Sequence, residues 1–116
     1  MTNSTLATLN DADFYGAMHA STGVSIVFFS GEGCSSCRYW KTLLDQLRAK
    51  RPALQVFEID AQQSMGLVQE YEVFHLPALF VFVNGQYHAP LQCEAKLDVI
   101  EQTLATILAA PAQDAP

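Results

Sequence analysis

The sequence predicts an α/β protein, a mixed central β-sheet with helices on both faces. Three observations predict it. "VSIVFF" (24–29) is a continuous apolar run of β-branched and aromatic residues, as expected of a strand buried on both faces. From Ser35 the period turns helical, with Trp40, Leu43, Leu44 and Leu47 at i, i+3, i+4 and i+7. "ALFVFV" (78–83), Asn84-Gly85 and "QYHAPLQC" (86–93) spell a hairpin, because Asn-Gly is the preferred pair for a two-residue turn with positive φ at both positions. A long helix crossing between two buried strands implies parallel pairing, and the hairpin adds antiparallel strands.

Taken in order, Asn10 and Asp11 are good N-caps, and Phe14, Ala17 and Met18 give a short first helix its apolar stripe. Gly23 ends the connection to the strand at 24–29. The helix that begins at Ser35 carries Arg38, Lys41, Asp45 and Arg48 on its other side, and Pro52 closes it. "ALQVFEID" (53–60) alternates as a second strand. A weaker helix at 61–72 is interrupted by Gly66, and the hairpin follows. The last helix sets Leu97, Ile100, Leu104, Ile107 and Leu108 on one stripe and stops at Pro111. Residues 1–116 read as a single domain with no internal repeat, and 1–5 and 111–116 are expected to be frayed tails.

Half of the 116 residues are apolar and 16% are charged, enough to bury a real core. Six Lys and Arg against twelve Asp and Glu leave a net charge of −6. The one basic cluster, Arg48, Lys50 and Arg51, falls at a helix end, where cations complement the dipole. Nucleic-acid binding needs a positive face and is disfavoured. The start "MTNSTLATLN" has neither the basic region nor the apolar stretch of a signal peptide. No run approaches the roughly 18 apolar residues of a membrane span. Three cysteines do not make a fully paired secreted framework. The chain therefore reads as a soluble, cytoplasmic monomer with no membrane partner.

Cys34 and Cys37, in "FFSGEGCSSCRYW" (28–40), lie at a strand-to-helix junction. Unpaired N–H groups and the positive dipole end favour an anion there, so the Cys34 thiol should be acidified. Three residues on, Cys37 comes back under Cys34. Thiol–disulfide exchange needs this pairing, an exposed thiolate to attack and a second thiol to resolve. Zinc asks for four ligands, and the remaining candidates, Cys93, His75, His88 and His19, have no ligand spacing. A purely structural disulfide within one helical turn would constrain almost no chain entropy.

"GCSSC" in a β-α-β setting, followed by "HLP", a strand and an Asn-Gly turn, resembles the thioredoxin family from about Leu9 to Leu108. The resemblance implies a thioredoxin-like fold and a cis proline at Pro77 facing the active cysteines. It also implies that Leu76 offers its backbone to a substrate's extended chain, with His75 and Gly33 bordering the same site. An ordinary strand-entry proline is the other reading of Pro77.

The chain also departs from the family's pattern. Gly33 replaces the usual tryptophan, and Ser35-Ser36 separate the thiols. The family's buried acid and its lysine partner map to Phe28 and Val56, both apolar. Glu58 is the nearest substitute for that acid, although a strand-edge carboxylate facing solvent is the expectation. His75 stands where glycine is common, either to support the Cys34 thiolate or as a solvated loop residue. Glu32 either opposes that thiolate or is solvated, and Trp40 is expected to pack. In the hairpin, opposed residues sum to 169, which sets Leu76 against Cys93, with a one-residue shift possible through a bulge at Pro90. Cys93 then lies beside the Pro77 loop, where family members often have glycine. It is either a buried filler or a thiol bordering the substrate groove.

The implied function is thiol–disulfide oxidoreduction, part of cell redox homeostasis, with Cys34 as nucleophile and Cys37 as resolving thiol. Its partners are protein dithiol or disulfide substrates and a reductase or other thiol donor. No cofactor beyond the redox-active cysteines and no metal is expected. The alternative is a thioredoxin-fold binding or adaptor module, or a redox sensor with little general reductase activity.

Overall fold

A computed structural model describes residues 6–116. The residues of the expected N-terminal tail, 1–5, lie outside it. Five strands form one sheet in the order β1-β3-β2-β4-β5. They are β1 (Ala7–Leu9), β2 (Val24–Ser30), β3 (Gln55–Asp60), β4 (Ala78–Val83) and β5 (Gln86–Pro90). The helices are α1 (Phe14–Ala20), α2 (Ser35–Lys50), α3 (Met65–Glu70, after a 3₁₀ turn at Ala61–Gln63) and α4 (Leu97–Ala109). β2 pairs parallel with β3 and antiparallel with β4, as the element order requires.

Strand alternation divides the core in two. Ile26, Phe28 and Val81 point to one face and pack with Leu44 and Leu47 of α2 and Ile100 and Leu104 of α4. Val27, Phe29, Phe80 and Phe82 point to the other and meet Phe14 and Met18 of α1 and Leu67 of α3. The apolar stripes of the sequence are the buried stripes of the helices. The molecule is the mixed sheet with helices on both faces that the sequence predicts.

Four local readings need correction. β1 is absent from the sequence reading, because three residues with one buried side chain, Leu9, leave no periodic signal. It pairs parallel with β3, so β3 is an inner strand and Glu58 is no edge carboxylate. The Glu58 side chain is 17% exposed, accepts from Ser30 Oγ at 2.7 Å and pairs with Lys41 Nζ at 3.0 Å.

Asp11 does not cap α1, which begins at Phe14. Its carboxylate reaches across to accept from Gly66 N and Leu67 N at 3.1 and 3.0 Å, satisfying the start of α3. Asn10 stays local and accepts from Ala12 N at 2.8 Å.

The hairpin begins as predicted, with φ 51° at Asn84, 78° at Gly85, and Val83 opposite Gln86. Tyr87 then faces Phe82 while Ala89 faces Val81, so the extra residue is His88, two before Pro90. The bulge has a structural use. His88 Nε2 lies 2.9 Å from Ile107 O, which also accepts from Ala110 N at 3.2 Å, and 3.0 Å from Ala110 O, serving two carbonyls at the end of α4. The same strand edge meets the C-terminal segment, where Gln113 N–H donates to His88 O at 2.7 Å.

Candidate active site

β2 ends at Ser30, and the turn that follows delivers Cys34 to the start of α2. Gly33 has φ 76°, a left-handed conformation that costs glycine little. A Cβ at Gly33 would meet nothing within 4 Å, so backbone conformation and not space selects the glycine. Cys34 is the N-cap of α2, and its sulfur accepts from Cys37 N at 3.1 Å, taking one of the helix's unpaired donors.

Cys34 and Cys37 are joined by a disulfide, with Cα atoms 5.2 Å apart. One helical turn brings them together while giving them different surroundings. Cys34 is half-buried, and Cys37 is 4% exposed and packed into the core beside Trp40. Cys34 is thus the more exposed member of the pair and Cys37 the shielded one.

The Leu76–Pro77 peptide bond is cis. Leu76 leans on the cysteine loop: a β-carbon at Gly31 would come 2.6 Å from Leu76 Cδ1. A larger residue at 31 would require the Leu76 side chain to shift. A cavity of about 410 Å³ opens beside them, lined by Trp40, His75, Leu76, Pro77 and Cys93 among others. Trp40 is therefore both core packing and part of the cavity wall. His75 is exposed at its rim, and Glu32 is exposed on the cysteine loop.

Cys93 borders the cavity, while the His88 bulge shifts the hairpin register by one residue and the paired positions stop at Phe80 and Pro90, short of Leu76 and Cys93. It is a free, half-buried thiol that packs against the core. Burial pushes its pKa up and Glu94 adds to the rise, against a lowering hydrogen bond with Thr103. The positions equivalent to the family's acid and lysine, Phe28 and Val56, are both buried in the apolar core. Among the described residues, no three His, Cys, Asp or Glu side chains gather as a metal site would.

Sequence reasoning misses Phe74. It stands 87% exposed in the loop leading to Pro77. The only sequence signal is an aromatic residue outside any strand or helix period, directly before "HLP".

A disulfide at a helix N-terminus, with a cis proline in the loop whose Leu76 approaches the cysteine loop, defines a thioredoxin-like protein. The thioredoxin family model matches residues 5–106, and the chain belongs to that family. Thioredoxin from Staphylococcus aureus is 29% identical over 79 residues, which cover 67% of this chain and 74% of that one. Mouse thioredoxin domain-containing protein 2 is 36% identical over 60 residues, 52% of this chain and 12% of the longer protein. Thioredoxin from Chlamydia trachomatis is 26% identical over 66 residues, covering 57% of this chain and 65% of its own. In structure, oxidised mitochondrial thioredoxin 3 from Saccharomyces cerevisiae superposes with a TM-score of 0.75 at 18% identity, covering 88% and 95% of the two chains. Thioredoxin f2 from Chlamydomonas reinhardtii gives 0.74 at 18% identity, covering 90% and 94%. At that identity the structural likeness is one of fold.

Proposed function

We infer that the protein is a thiol–disulfide oxidoreductase acting on protein substrates through Cys34 and Cys37. The observation that carries this reading is the unequal exposure of two bonded sulfurs at the start of α2. In the reduced form, the Cys34 thiolate attacks one sulfur of a substrate disulfide. That S–S bond breaks, the other substrate sulfur leaves as a thiolate, and a Cys34–substrate disulfide forms. Cys37 then attacks Cys34 Sγ, the substrate leaves as a dithiol, and the Cys34–Cys37 disulfide closes. Two electrons pass to the substrate. A reductase or another dithiol donor returns them, and no bound cofactor is needed.

Each part of the site has a role in this scheme. The helix N-terminus stabilises the attacking thiolate. The groove along Leu76 and Pro77 receives the substrate's extended backbone by strand-type pairing, with Gly33 and His75 at its borders. The reading places a monomer in the cytoplasm, where thiols are kept reduced.

A second reading is favoured by one observation: the apolar Phe28 and Val56 leave no acid–lysine pair at those positions. On that reading the protein is an adaptor or redox sensor with little general reductase activity. Insulin reduction by dithiothreitol separates the two. Strong acceleration by the protein, lost in Cys34→Ser, supports the oxidoreductase; a rate equal to dithiothreitol alone rejects it.

A further inference from the structure

A single exposed aromatic residue needs no explanation. Phe74 differs because it borders a cavity, of about 270 Å³, walled by Tyr71, Phe80 and Tyr87. At 87% exposure it also stands further out than Tyr15, Tyr39 and Met65, at 54%, 56% and 56%. The cavity shares His75, Ala78, Pro90 and Gln92 with the groove that holds Pro77 and Cys93. The two hollows therefore adjoin at the β4–β5 end of the sheet, a trough with Phe74 at one end and Pro77 and Cys93 at the other.

Three features say what fits this trough. The aromatic wall suits an apolar side chain. Glu72, exposed on the rim, takes part in neither of the ion pairs Lys41–Glu58 and Lys50–Glu101. Its φ of 53° belongs to the left-handed turn that ends α3, where Val73 N–H donates to Val68 O at 2.9 Å and the Glu72 side chain is left on the rim. Third, the chain's own polypeptide already touches the trough. Gln113 N–H bonds to His88 O on the β5 edge, and Pro116 lines the cavity.

We propose that this trough docks an extended segment of the client protein, one with an apolar side chain for the Phe74 cavity and a Lys or Arg for Glu72. Both lie within a few residues of the client's reacting cysteine. The proposal names the substrate class of the oxidoreductase described above and rests on that reading for the place of the client's sulfur.

The test uses the full chain carrying Cys37→Ser and Cys93→Ser, which leaves one thiol. The probes are peptides of about eight residues whose single cysteine is bonded to thionitrobenzoate, with Leu-Lys or Ser-Asp beside it. The Cys34 thiolate attacks the peptide sulfur, the old S–S bond breaks, and thionitrobenzoate departs with the electron pair as a coloured ion. A protein–peptide disulfide is left, and no outside oxidant or reductant is consumed.

The Leu-Lys peptides exchange about tenfold faster than the Ser-Asp peptides, the scale of burying one large apolar side chain. Phe74→Ser abolishes most of that preference. Glu72→Gly lowers it only about two- to threefold, as a rim charge should, without lowering the thermal midpoint. Dithionitrobenzoate, too small to reach Phe74, reacts at the same rate with every variant. Equal rates for the two peptides overturn the proposal, as does a Phe74→Ser loss that dithionitrobenzoate shares. Insulin reduction by the unaltered chain is read separately. If it is absent while the peptide preference persists, the oxidoreductase reading fails and the docking site stands.

Discussion

Glu58 of β3 holds Lys41 of α2 at 3.0 Å, one helical turn beyond Cys37. The carboxylate also takes the Ser30 hydroxyl at 2.7 Å, tying the end of β2 to the helix that carries both cysteines. With the side chains 17% and 36% exposed, the pair lies between a surface bridge and a buried one. A double-mutant cycle of Glu58→Gln and Lys41→Met, followed by urea unfolding, should give a coupling of about 0.5–1.5 kcal/mol. A coupling indistinguishable from zero would show that the pair does not hold α2 in place.

The three thiols should separate by rate. In the reduced protein near neutral pH, iodoacetamide labels Cys34 at least about tenfold faster than Cys37 or Cys93. Cys37 is shielded, and burial raises the Cys93 pKa, so the Cys93 thiol stays protonated. Raising the pH should recruit Cys93, since more of it then ionises. Peptide mass spectrometry against time reads all three positions. Equal rates at Cys34 and Cys37 would overturn the role assignment, and a Cys93 as fast as Cys34 at neutral pH would overturn the account of its burial.

The dipeptide between the cysteines bears on redox poise. The family pattern associates proline there with strongly reducing behaviour, and this chain has Ser35-Ser36 over an apolar Phe28 and Val56. The pair should be easier to reduce than thioredoxin, with a potential above about −270 mV. Equilibration with glutathione buffers measures it, and a value at or below the thioredoxin level refutes the expectation.

His88 should matter to the fold although it is remote from the cysteines in sequence. Its Nε2 serves the carbonyls of both Ile107 and Ala110. His88→Phe keeps the bulk but leaves those carbonyls without it, and should cost about 1–2 kcal/mol of unfolding free energy. A Gln at the same position should recover part of the loss. Denaturant midpoints that do not differ among the three proteins would mean that water replaces the imidazole without cost.

Alkaline pH should weaken the fold through two tyrosines. Tyr15 titrates at about 12 instead of 10.0, chiefly because its hydroxyl donates to Glu70. Tyr71 also rises to about 12, chiefly because it is buried. With folded pKa values above the unfolded ones, the unfolded chain loses these protons first. Their contribution is therefore complete below about pH 10 and is lost as the pH rises towards about 12. Urea midpoints across that window should fall less steeply in Tyr71→Phe. An unchanged slope would assign the alkaline loss to other groups.

Local chemistry determined much of this protein in the sequence alone. Apolar runs and stripes at 24–29, 40–47, 78–83 and 97–108 located the core, because burying a period-2 or period-3.6 face is what forms these elements. Asn84-Gly85 specified its turn through the backbone freedom of those residues. Cys34 and Cys37 were legible as a pair because three residues make one helical turn. Long-range contacts were not legible, since each depends on the summed packing of distant segments. A three-residue β1 gains its pairing only once β3 is in place, and with it Glu58 changes from an edge carboxylate to an inner one. Asp11 serves α3 across more than fifty residues, and His88 bulges because the end of α4 offers carbonyls within its reach. Phe74 has no period to betray it. Only the folded loop shows that it faces water beside the Pro77 groove.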